Sequence, residues 1–116
     1  MSRVLNVSRD YIIYKEIVYL LLDLAPDGAR SVIVNAELSG EGDYCEFEYD
    51  YINNVGERNW FVSKSGLINQ RLRKLLVSLR SYLCYEFKSS KKPFWKKCCM
   101  TVEIYSMKMK INFDYE

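Results

Sequence analysis

Histidine is missing from all 116 residues of this chain. With it goes the side chain most used as a general base, and the member common to Ser-His-Asp and Cys-His catalytic sets. The cysteines, at positions 45, 84, 98 and 99, show no C-x-x-C spacing, and without histidine they cannot complete a mixed zinc site. Cys98 and Cys99 are adjacent and point to opposite faces of a strand, so no disulfide framework is evident; reduced thiols in a cytoplasm are the better reading. No Gly-rich phosphate loop, nucleotide-binding fingerprint or calcium loop occurs, because Gly40 and Gly42 do not precede a helix. The one strongly apolar stretch, Ile17 to Leu24 (IVYLLLDL), is interrupted by Asp23 and stopped by Pro26, far short of the about 20 residues that span a bilayer. The opening MSRVLNVSRDY lacks the basic-then-apolar run of a secretion signal. Together these absences argue against an enzyme, a metal centre, a cofactor and a membrane anchor, and for a protein that stays in the cytoplasm.

What is present argues for a folded domain. An apolar content of 49% with 15% aromatics suits a globule rather than a disordered tail, and the length fits one domain over 1–116. The net charge of +2 conceals a separation. From Ser31 to Glu57 there are seven acids and no Lys or Arg, a net of −7; from Arg58 to Lys97 there are eleven bases against the single acid Glu86, a net of +10. Separation of this kind bears on partners and association rates more than on fold.

Hydrophobic periodicity supplies the elements. Ser8 caps a helix over about residues 10–24, which Pro26-Asp27-Gly28 ends; its apolar residues surround most of its circumference and predict deep packing on a sheet. Strands follow at 31–38 and 43–52. If Glu41-Gly42 is a two-residue turn, Leu38 meets Cys45, Ala36 meets Phe47, Val34 meets Tyr49 and Val32 meets Tyr51. A short strand at Trp60-Phe61-Val62 precedes a second helix over about 66–88, capped by Ser65, whose buried stripe is Ile68, Leu72, Leu75, Leu76, Leu79, Leu83 and Phe87. Arg71, Arg73, Lys74 and Arg80 fall mainly on its solvent side. Two strands in 94–104 and 107–115 close the chain, with a two-residue turn at Tyr105-Ser106 pairing Ile104 with Met107, Val102 with Met109, Met100 with Ile111 and Cys98 with Phe113. The fold expected is α+β: a single antiparallel sheet of about five strands with two helices mainly on one face, in the order helix-β-β-β-helix-β-β.

The two hairpins differ in charge. In YCEFEYDY (44–51) the period of two sets Glu46, Glu48 and Asp50 on one face, and the register puts Glu37 opposite Glu46, Asn35 opposite Glu48 and Ile33 opposite Asp50. Like charges directly opposite cost a few tenths up to about 1 kcal/mol. The closing hairpin pairs Glu103 with Lys108 and Lys97 with Asp114, as an ordinary solvated face does. Glu46 and Glu48, two apart on an exposed strand, lack the apolar pocket that separates two carboxyl pKa values for acid-base work. A solvated outer face is the simpler account of the acids.

The layout, with Trp60, FEYDY at 47–51 and NFDY at 112–115, resembles the small bacterial immunity proteins of the YezG-like group. The resemblance implies a cytoplasmic inhibitor that neutralises a cognate toxin, often a nuclease, including those of contact-dependent growth inhibition systems. A nuclease presents basic side chains to phosphate, so a rigid row of carboxylates can occupy that surface. The partner-binding candidates are Glu37, Glu41, Asp43, Glu46, Glu48 and Asp50, with Ile33 as an apolar anchor. No cofactor or metal is implied, and monomer and homodimer stay open. The alternative is a small nucleic-acid-binding module using the basic 71–97 face: Arg71, Arg73, Lys74, Arg80, Lys88, Lys91, Lys92, Lys96 and Lys97 for phosphates, with Phe94 and Trp95 for bases.

Overall fold

A computed structural model describes residues 9–63, 65–86 and 95–114 of the chain. The predicted cap Ser8, stripe residue Phe87, and Lys88, Lys91, Lys92 and Phe94 lie outside the described residues.

The first helix, α1 (Arg9–Leu24), turns directly into the sheet through Pro26-Asp27-Gly28. Gly28 sits there at φ 84°, in the region that suits glycine, and the Ala29 N–H closes the turn on the Pro26 carbonyl at 3.1 Å. Ile17, Val18, Leu20 and Leu21 enter the core, but Tyr11, Ile12 and Tyr19 stay exposed. The helix therefore packs along a stripe rather than around its circumference, because one sheet face and one neighbouring helix cover only part of it.

Strands β1 (Ala29–Leu38), β2 (Cys45–Asn53) and β3 (Arg58–Phe61) precede the long helix α2 (Gly66–Glu86), and β4 (Lys97–Glu103) and β5 (Met109–Asp114) follow it. The sheet is antiparallel in the order β3-β2-β1-β4-β5, with β1 central. Both hairpin registers match the expectation from alternation, Leu38 to Cys45 through Val32 to Tyr51 and Cys98 to Phe113 through Val102 to Met109. Neither turn is the expected two-residue type. The Ser39 N–H bonds the Tyr44 carbonyl at 2.9 Å and the Gly42 N–H bonds Ser39 at 3.0 Å, so residues 40–43 form a four-residue loop. The same holds for 104–107, where Glu103 pairs with Lys108, Met107 takes φ 60° and the Ile104 N–H bonds the Arg30 carbonyl; Ile104 and Met107 do not pair. A two-residue turn needs a positive φ at its first position, which neither Glu41 nor Tyr105 adopts. The third strand covers 58–61 rather than 60–62, since Asn53 closes its turn by accepting the N–H groups of Val55 and Glu57 on its side-chain oxygen.

Both helices cover the face formed by Val32, Val34, Ala36, Leu38, Tyr49, Cys98, Met100 and Val102, against which Ile17, Leu21, Leu72 and Leu76 pack. Burying each such aliphatic side chain is worth about 1.5 to 3 kcal/mol. Ser65 caps α2 as expected, its hydroxyl accepting the Leu67 N–H at 3.2 Å. Arg80 departs from expectation: it is 6% exposed, not solvent-facing. Its guanidinium donates to the carbonyls of Ser39 at 2.6 Å, Trp95 at 3.1 Å, Gly40 at 3.2 Å and Leu38 at 3.4 Å. Arg73 adds a bond to the Gly42 carbonyl at 2.7 Å. Two α2 arginines thus hold the loop of the acidic hairpin.

Candidate functional site

Because side chains alternate across each strand, the face away from the helices is a grid that the registers define. One row reads Glu46, Glu37, Lys97, Asp114; the next Glu48, Asn35, Cys99, Asn112; the third Asp50, Ile33, Thr101, Lys110, with Trp60 beyond Asp50. The first two rows line a groove of about 500 Å³ in the open sheet face. Its ionic lining is Glu37, Glu46, Glu48 and Asp114 against Lys97, a formal net of −3.

The expected carboxylates fare differently. Glu37, Glu46 and Glu48 are exposed and adjacent, as the alternation requires. Glu46 accepts a hydrogen bond from the Tyr44 hydroxyl at 3.0 Å, and that bond to a carboxylate raises the phenol's pKa above its ordinary 10.0. Asp50 is not open: Arg58 holds it with Nε and a terminal nitrogen both 2.8 Å from Oδ2. This pairing follows from β3 lying beside β2, which places Arg58 one row from Asp50. Glu41 and Asp43 are exposed in the clamped loop, where Asp43 accepts the Ser39 hydroxyl at 2.9 Å. Ile33 is no anchor; at 7% exposure, on the central strand between Asp50 and Thr101, it is covered by its neighbours.

The groove brings in Lys97, Asp114, Cys99 and Asn112, which the hairpin reading did not connect to the acids. Alternation had paired Lys97 with Asp114, but nothing in the chain order signals that β4 lies beside β1. Lys97 faces Glu37 in register, so the acidic ridge is offset in its first row and uncompensated at Glu48 in the second. Among the described residues no group of three His, Cys, Asp or Glu is placed to hold a metal ion.

The basic stretch does not assemble into one face among the described residues. Arg71 and Lys74 are exposed on α2, Arg80 is buried, Arg73 is bound to the loop, and Lys97 belongs to the acidic groove. Trp95 is core, 1% exposed, against Phe113 and the Arg80 guanidinium; among the described residues its indole N–H has no hydrogen-bond partner. No helix among the described residues is long and apolar enough to cross a membrane. No protein-family model matches the sequence, and no curated protein aligns with it at significant similarity.

Proposed function

We propose that this chain is a cytoplasmic inhibitor that binds a basic protein, in the manner of an immunity protein neutralising a nuclease toxin, through the open face of its sheet. One observation carries the reading: Glu37, Glu46 and Glu48 stand side by side on a solvent-exposed face, held by a sheet and by an arginine-clamped loop. A surface meant only for solvent gains nothing from acids set directly opposite each other, at a cost of a few tenths up to about 1 kcal/mol. A partner carrying Lys or Arg recovers that cost on docking, and complementary fields raise its association rate by about 10 to 1,000-fold at low salt. The exposed Trp60, opposite Asp50 on the neighbouring strand, supplies the aromatic contact that interfaces favour.

Nucleic-acid binding gains no specific support, since Trp95 is enclosed, Arg73 and Arg80 are bound to loop carbonyls, and Lys97 lies in the acidic groove. The test is co-expression with the toxin domain encoded beside the chain's own gene. The parent chain should restore growth, and a variant with Glu37, Glu46 and Glu48 all changed to Lys should not, while keeping its circular dichroism spectrum. A folded triple variant that protects as well as the parent defeats the reading.

A further inference from the structure

The sheet has an open slot beside the acidic residues. β3 pairs with Tyr49–Ile52 only, whereas β2 begins at Cys45. Residues 45–48 therefore have β1 on one side and, among the described residues, no strand on the other. The hydrogen bonds tell which backbone groups face the gap. Tyr44 bonds toward β1 through Ser39, and Asn53 bonds away from it through Glu57, so the alternation of an antiparallel ladder turns Cys45 and Phe47 outward. Where β3 would continue, the chain departs at Val62 and leaves a cavity of about 480 Å³ lined by Phe47, Glu48, Trp60, Phe61, Val62 and Asn69. Trp60 and Val62 are 75% and 67% exposed beside it.

We propose that this slot takes an extended basic segment of the protein partner as an added strand, in line with β3. The inference rests on the reading of the open face as a protein-binding surface and specifies what binds there. Backbone pairing to Cys45 and Phe47 supplies affinity, as in other strand additions. The side chains flanking Phe47 set the sequence: residues opposite Glu46 and Glu48 are Lys or Arg, and the residue between them, opposite Phe47, is apolar and enters the cavity at Phe61. Charges on an edge strand also guard it against unwanted pairing. Here the guard is selective, because Glu46 and Glu48 repel a second copy of the same edge and accept a basic one.

The test uses the full chain, isotope-labelled, with three short end-blocked peptides that alternate Lys with Val, Lys with Pro, and Glu with Val. The Lys/Val peptide should bind and slow hydrogen exchange at the Cys45 and Phe47 amides by about tenfold or more. Lys/Pro keeps the charge but lacks half the strand's donors, and should bind about tenfold more weakly; Glu/Val should not bind. The double variant Glu46→Lys, Glu48→Lys should reverse the preference between Lys/Val and Glu/Val. Equal binding of Lys/Val and Lys/Pro without protection at Cys45 and Phe47 overturns strand addition and leaves the acidic-face reading intact. Absence of Lys/Val binding overturns it too. Only unimpaired toxin protection by the triple lysine variant overturns the function itself.

Discussion

Changing Arg80 to Met keeps an unbranched stem in place and removes the guanidinium that joins α2 to the loop of the acidic hairpin. Leu38 and Trp95, two of the residues whose carbonyls it satisfies, are each 1% exposed. Water cannot replace the donor there, and each orphaned acceptor costs about 1 to 3 kcal/mol. The carbonyls of Ser39 and Gly40 lie in the open loop and rehydrate, losing about 0.5 to 1 kcal/mol apiece. The sum is about 3 to 8 kcal/mol, against a total stability of about 5 to 15 kcal/mol for a domain of this kind. For 116 residues, an unfolding entropy of about 2.1 cal/mol/K per residue converts each kcal/mol to about 4 °C. Arg80→Met should therefore lower Tm by about 12 to 32 °C, read by thermal circular dichroism, and speed exchange of the Gly42 amide. Arg80→Lys should recover less than half, since one ammonium cannot fork across four carbonyls from two separate segments. A drop below about 4 °C for Arg80→Met, or full rescue by Lys, would refute the assignment of Arg80 as the clamp.

Four further outcomes follow from the same fold. Gly42 sits at φ 78°, and an added Cβ would lie 3.0 Å from a Val77 methyl; Gly42→Ala should cost about 2 kcal/mol by urea denaturation, while Gly40→Ala, with nothing within 4 Å, costs under about 0.5 kcal/mol. Burial pushes the Cys98 thiol from 9.0 up to about 12. The unfolded chain loses that proton first, so stability is whole below pH 9 and falls above it, by about 1.4 kcal/mol between pH 8 and 10 relative to Cys98→Ala; parallel stability profiles for the two proteins would contradict this. Arg58→Ala opens Asp50 at a cost below about 1 kcal/mol, and should quicken association with a basic partner in stopped flow at low salt. Alkylation under native conditions should modify Cys99 on the open face well before Cys98 in the core, and equal rates by mass spectrometry would contradict the strand orientation.

The acidic face was legible because period-two alternation is a local property: once Leu38 meets Cys45, Glu37 must meet Glu46. The burial of Arg80 had a signal too, since it falls four residues after Leu76 and eight after Leu72, on the buried side of α2. A charge there reads as solvated until carbonyls are known to converge on it. Asp50 looked as open as Glu48, and only β3 brings Arg58 within 2.8 Å. Ile33 looked like an outward anchor because its strand alternates, yet a residue on a central strand is hemmed in from both sides.

What the chain alone determined is the set of elements, the hairpin registers and the sides on which acids and apolar groups lie, because each depends on spacing of a few residues. The strand order was decided only by the folded whole. It made β1 central, set Lys97 beside Glu37, supplied Asp114 to the groove and ended β3 short of Cys45. Those contacts join residues far apart in the chain, and they form only when both helices and every strand must share one buried face.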